Sequence, residues 1–180
     1  MTMLAIRIAA LAACLVPALA AAQTPPIKPG LWAVQADRLV DGKPMTPPGD
    51  AMKNLTPETR AKMDAMMKEK GISLGSGAAG SSRICLSRET LDAGHWQNAG
   101  ANCKTDFVSR TASAWKWHSE CAQTGSTTDG EAVFANGENY TVTTASTHGF
   151  RGETKTTKMT IHAKWVGADC GDLKPFDPKR

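Results

Sequence analysis

Two runs decide the fold: Cys103-Lys-Thr-Asp-Phe107-Val-Ser-Arg110 and Ala114-Trp115-Lys-Trp117-His-Ser-Glu-Cys121. Successive side chains of a strand point to opposite faces, so each run divides in two. With Cys103 opposite Cys121, Phe107 falls opposite Trp117 and Ser109 opposite Trp115. Residues 111–113 then form the turn. One face collects both cysteines with Phe107, Trp115 and Trp117. The other carries Lys104, Asp106, Arg110, Lys116, His118 and Glu120. A slip of one residue would turn the aromatic set to solvent, so this register is strongly specified.

The same alternation recurs along the chain. Met159, Ile161, Ala163 and Trp165 alternate with Lys158, Thr160, His162 and Lys164, giving one dry and one wet face. Trp32, Val34 and Ala36 share one side of a strand from Leu31 to Val40. Further strands are predicted at 82–87, 102–110, 114–121, 129–135, 138–147 and 154–166. Asp41-Gly42 predicts a turn, and a Pro-rich loop follows over 44–49. Asn136-Gly137 predicts a type I′ hairpin that pairs Val133 with Tyr140.

One helix is expected near residues 57–70. Thr56 is a good N-cap, Pro57 suits the first helical position, and Glu58 favours the positive end of the helix dipole. Lys68 and Lys70 suit the last turn, and Gly71 the stop after it. Met63, Met66, Met67 and Ile72 make its apolar side. Residues 75–82 read as a flexible linker. The expected fold is mainly β: a curved antiparallel meander, half-barrel or lipocalin-like, its helix covering the open mouth or an edge.

The first 22 residues read as an address. Arg7 precedes an apolar run from Ile8 to Leu19, and Ala18-Leu19-Ala20 supplies an A-x-A cleavage site. The run is too short and too Ala-rich for a membrane span. Residues 1–22 are therefore expected to be a signal peptide, and 23–180 a single disulfide-stapled, β-rich domain of periplasmic location. The mature chain would have about 158 residues, a usual size for one domain. Its Lys and Arg are interleaved with acids, without the basic stripe of nucleic-acid binders.

Of five cysteines, Cys14 lies in the leader. Leu11-Ala12-Ala13-Cys14 supports a second reading, in which Cys14 is lipidated and begins a lipoprotein. An even set remains: Cys85, Cys103, Cys121 and Cys170. In an oxidising compartment this implies two disulfides. The strand register joins Cys103 to Cys121, which leaves Cys85 with Cys170.

Several blocks are familiar together: Lys28-Pro-Gly-Leu-Trp32, Thr56-Pro57-Glu58 through Met66-Met67, Arg83-Ile-Cys85-Leu-Ser87, the spaced Cys103 and Cys121, and Lys164-Trp-Val-Gly-Ala-Asp-Cys170-Gly-Asp172. In these the chain resembles the DUF3617 family of exported proteobacterial proteins. The resemblance implies periplasmic residence and a small β-rich domain. It carries no activity and no catalytic residues.

The remaining motifs are weak. Gly75-Ser-Gly77-Ala-Ala-Gly80 spells G-x-G-x-x-G, but a dinucleotide loop needs a strand before it and a helix after it. Cys103, His118 and Cys121 could supply zinc ligands, with His95 or Cys85 as a fourth. A disulfide would remove the thiolates, and the register points His118 the other way. Trp96, Trp115, Trp117 and Trp165 suit either a core or a ligand cavity. No G-x-S-x-G, H-E-x-x-H or P-loop occurs. No cofactor is expected and no catalytic residue can be named.

The expected function is a non-catalytic binding module for a small apolar ligand or a periplasmic protein partner. The curved sheet would hold the ligand, with the Met-bearing helix as lid. The alternative is copper handling, since thioethers bind Cu(I) and Met63, Met66 and Met67 share one helix. An enzyme of unknown type is a third reading.

Overall fold

A computed structural model describes residues 24–45, 55–74, 81–92, 103–150 and 153–176. The leader with Cys14, the Gly75–Gly80 run, Met52, His95 and Trp96 lie outside the described residues.

In chain order the elements are β1 (Gly30–Val40), β2 (Lys43–Pro44), α1 (Pro57–Glu69), β3 (Ile72–Leu74), β4 (Ser81–Leu86), α2 (Arg88–Asp92), β5 (Cys103–Arg110), β6 (Ala114–Cys121), β7 (Ser126–Asn136), β8 (Asn139–Phe150) and β9 (Glu153–Gly167). All nine strands join one antiparallel sheet in the order β3-β4-β1-β9-β8-β7-β6-β5, with β2 paired to β1. The result is the curved, open half-barrel that the alternation implied. β5 and β3 are its two ends.

Two disulfides staple it, Cys103–Cys121 and Cys85–Cys170, as the register and the cysteine count required. The first joins β5 to β6. The second ties β4 to the tail behind β9. That tail continues along the same edge: Phe176 N–H donates to the Cys85 carbonyl at 2.7 Å, and Lys174 pairs with Glu69 of α1 at 2.9 Å. Gly71 has φ +77, and a Cβ there would run into the Lys174–Phe176 backbone. A helix stop and a close approach therefore both require glycine at this position.

The dry face carries the core. Trp32, Trp115, Leu86 and Leu91 are fully buried, and Trp117, Phe134, Tyr140, Val142 and Ala163 pack with them. Trp32 stacks on Tyr140, with ring centroids 4.9 Å apart, and its indole N–H donates to the Lys28 carbonyl at 3.0 Å. Beyond the rings, row by row, the face becomes hydroxylated. Thr105, Ser119, Thr128, Ser146 and Thr157 align across five strands. They bond in pairs, Thr105 with Ser119 and Thr128 with Ser146, each at 2.8 Å. Pairing satisfies polar groups that the concave face half-buries.

Bulges correct two expected registers. Phe107 does face Trp117, but Ser109 faces Lys116 and Arg110 faces Trp115. Val108 is the extra residue and stands 74% exposed. The bulge turns Arg110 from the charged face to the dry one, where its guanidinium lies 3.4 Å from the Phe107 ring centroid. In the β7–β8 hairpin, Asn136 stays in the ladder opposite Asn139, so the turn is Gly137–Glu138. Asn136 Oδ1 accepts from Glu138 N–H at 2.8 Å, an Asx turn. Phe134, not Val133, therefore faces Tyr140. The turn with both central residues at positive φ is Asp41-Gly42, at 49° and 76°.

The helix forms as read, from Thr56 to Lys70, with Thr59 N–H capped by Thr56. It buries no residue. It sits at the sheet edge against β3 rather than over a mouth. Residues 81 and 82 belong to β4 rather than to a linker. Two elements went unforeseen: the short β3, and α2, which Ser87 caps through Thr90 N–H at 3.1 Å.

Candidate functional site

The two faces of the sheet differ in what space they leave. Rings and the fully buried Leu86 and Leu91 fill the dry face near the start of β1. Trp115 and Trp117 are core there, while Trp165 is half-buried with its N–H on the Pro29 carbonyl at 3.1 Å. The outer face, in contrast, carries a shallow trough of about 430 Å³ across β7, β8, β9 and β1.

Strand register builds this trough. One row runs Arg83, Ala33, Lys164, Asn139 across β4, β1, β9 and β8. The next runs Ser81, Gln35, His162, Thr141, Val133. Ala33 is small where its neighbours are long, so the rows leave a depression with an apolar floor. Val133 and Ala135, two outward residues beside the Asn136 bulge, extend that floor. His162 Nδ1 lies 3.2 Å from Thr141 Oγ1 on the wall. No carboxylate lines it.

Its electrostatics differ from those of the adjoining strands. There, each outward cation meets an acid: Lys104 with Asp106 at 2.9 Å, Lys116 with Glu131 at 3.3 Å, His118 with Asp129 at 2.8 Å. The hydrogen bond to Asp129 raises the His118 pKa above its ordinary 6.5, and Glu120 adds to the effect. Around the trough, Lys164 and Arg83 make no ion pair among the described residues. The neighbouring Glu138 is already held by Lys28 at 2.6 Å.

A second depression, of about 170 Å³, lies beside the Cys85–Cys170 staple between Lys68, Ser73, Arg83 and Asp172.

The sequence-level candidates fall elsewhere. Met63 is 38% and Met66 65% exposed on α1, while Met67 is half-buried. Cys103 and Cys121 are joined to each other, and His118 lies on the outer face beyond them. The G-x-G-x-x-G run connects two antiparallel strands, β3 and β4, so no helix opens behind it. The trough itself was not read from the sequence. Its one signal was Ala33 and Gln35 alternating with Trp32 and Val34, a wet face poor in charge.

The DUF3617 model, described as a protein of unknown function, matches residues 27–170. The chain belongs to the DUF3617 family. The match covers the whole sheet, both disulfides and the trough. An uncharacterised protein from the lpd-3 5′ region of Pseudomonas putida is 28% identical over 121 residues, 64% of this chain and 82% of that protein. No solved structure matches the chain. Among the described residues, no helix is long and apolar enough to cross a membrane.

Proposed function

We propose that this DUF3617 protein is an exported, non-catalytic binding module of the periplasm that holds a small, largely apolar ligand in its outer-face trough. The observation that carries the reading is the trough: an apolar floor with a few polar groups at its sides, of a volume in the usual range for ligand sites. Two disulfides support an oxidising compartment. They also occupy all four cysteines of the mature chain, so none is a free nucleophile.

Native mass spectrometry of the mature protein, purified from the periplasm, tests this. A bound adduct of small organic mass is expected. Ala33→Phe, which fills the floor, should remove the adduct without changing the melting temperature. An adduct that survives Ala33→Phe would place the ligand elsewhere. A denatured aliquot should show cleavage near Ala21 or Gln23 and the loss of four hydrogens. A diacylated mass beginning at Cys14 would overturn the signal-peptide reading.

Copper handling keeps one observation in its favour. The Met63 and Met66 thioethers stand at the surface of α1, accessible to an ion, with Met67 one turn from Met63. A Cu(I) adduct lost on changing all three to Leu would support it.

A further inference from the structure

We infer that the ligand of the trough is an amphipathic anion, a carboxylate on an apolar body such as a medium-chain fatty acid. This rests on the binding reading above and names the ligand class of the same site. Charge complementarity carries the inference. The outward face of β9 presents Lys158, His162 and Lys164, and Arg83 stands across Ala33 from Lys164. The carboxylates adjacent by register are Asp37, Glu131 and Glu138. Glu131 is held by Lys116 and Glu138 by Lys28, which leaves Asp37 one row away beside Thr160.

The trough thus pairs an apolar floor of Ala33, Ala135 and Val133 with an uncompensated cation at its edge. A neutral apolar ligand would use the floor and leave Lys164 idle. An anion without an apolar body would gain little there, because an exposed lysine alone binds weakly. A molecule with both parts satisfies both halves, its carboxylate accepting from Lys164 Nζ–H and its chain lying along Ala33 towards Val133.

The test uses the mature, oxidised protein with three ten-carbon probes below their aggregation limits: decanoate, decan-1-ol and decyltrimethylammonium. Binding is followed by amide chemical shifts at Ala33, Thr141, His162 and Lys164. Decanoate should bind about tenfold more tightly than decanol, the scale of one charge-assisted hydrogen bond. The cationic probe should be weakest. Lys164→Met should bring decanoate down to the affinity of decanol and leave decanol unchanged, while Lys164→Arg retains the preference. The melting temperatures of both variants show that the fold is intact. Equal binding of decanoate and decanol to the unaltered protein would overturn the anionic assignment and leave the apolar trough standing. Absence of shifts at the trough with every probe would overturn both.

Discussion

The outer face of this sheet has two halves, built of the same kind of strand. On β5–β7 the charges are paired, and Lys104, Lys116 and His118 each touch an acid. On β4, β1 and β9 Arg83 and Lys164 touch none, and alanine lies between them. Exposed pairs add little stability, but they mark groups whose electrostatic demand is met inside the molecule. The unpaired half has demand left over. That difference separates a face that only keeps register from one that is free to bind. Each half also has its own disulfide, Cys103–Cys121 for the first and Cys85–Cys170 for the second.

The largest change should erase the comparison by removing what both halves stand on. Trp32→Ala empties a fully buried site against Tyr140 and should cost about 5 kcal/mol, the upper end for such truncations. Denaturant unfolding would show it as a lower midpoint. A loss under about 2 kcal/mol would mean that the core repacks around the gap.

Removing the staples one at a time separates the halves. The Cys85–Cys170 link closes a sequence separation of 85 and the Cys103–Cys121 link one of 18. On the chain-entropy model their loss costs about 4.5 and about 3 kcal/mol respectively. Paired Cys→Ala variants, compared by unfolding, should preserve that order. The reverse order would show that the tail behind β9 is held mainly by its own contacts.

Gly130→Ala perturbs the paired half alone. A Cβ there would sit within the Trp117 indole, across the β6–β7 pair. Overpacking of this kind should cost about 2 kcal/mol. Amide exchange should quicken in β5–β7 and stay as it was in β1 and β4.

His118 gives a finer probe of the same half. Its folded-state pKa is raised, chiefly by the hydrogen bond to Asp129. Its contribution to stability is therefore complete below the unfolded value of 6.5 and is lost as pH rises through the higher, folded value. Asp106, Glu120 and Asp129 are the acids facing it. His118→Gln should remove that pH dependence from the melting temperature. A variant that keeps the full dependence would assign it to another group.

The smallest effect belongs to α1, which lies outside both halves. Changing Met63, Met66 and Met67 together to Leu touches a helix that buries no residue. It should shift stability by no more than about 0.5 kcal/mol. A larger loss would show that the methionines are packing groups after all.

Local chemistry made most of this fold legible. Alternation in 103–121 and 158–165, the Thr56–Gly71 caps and the Asp41-Gly42 turn act over a few residues, so sequence alone determines them. The disulfide pairing followed because one register brought Cys103 and Cys121 together. Bulges escaped, since an extra residue at Val108 or Ala135 leaves the alternation around it intact. Arg110 therefore read as an outward charge and stacks instead on Phe107. The trough escaped for a stronger reason. Ala33, Arg83, Val133 and Lys164 come from four strands scattered along the chain. What makes Ala33 a floor and Lys164 an unpaired cation is which strands lie side by side. Sequence set the two faces of each strand; only the strand order, a product of tertiary packing, decided which outward residues became neighbours.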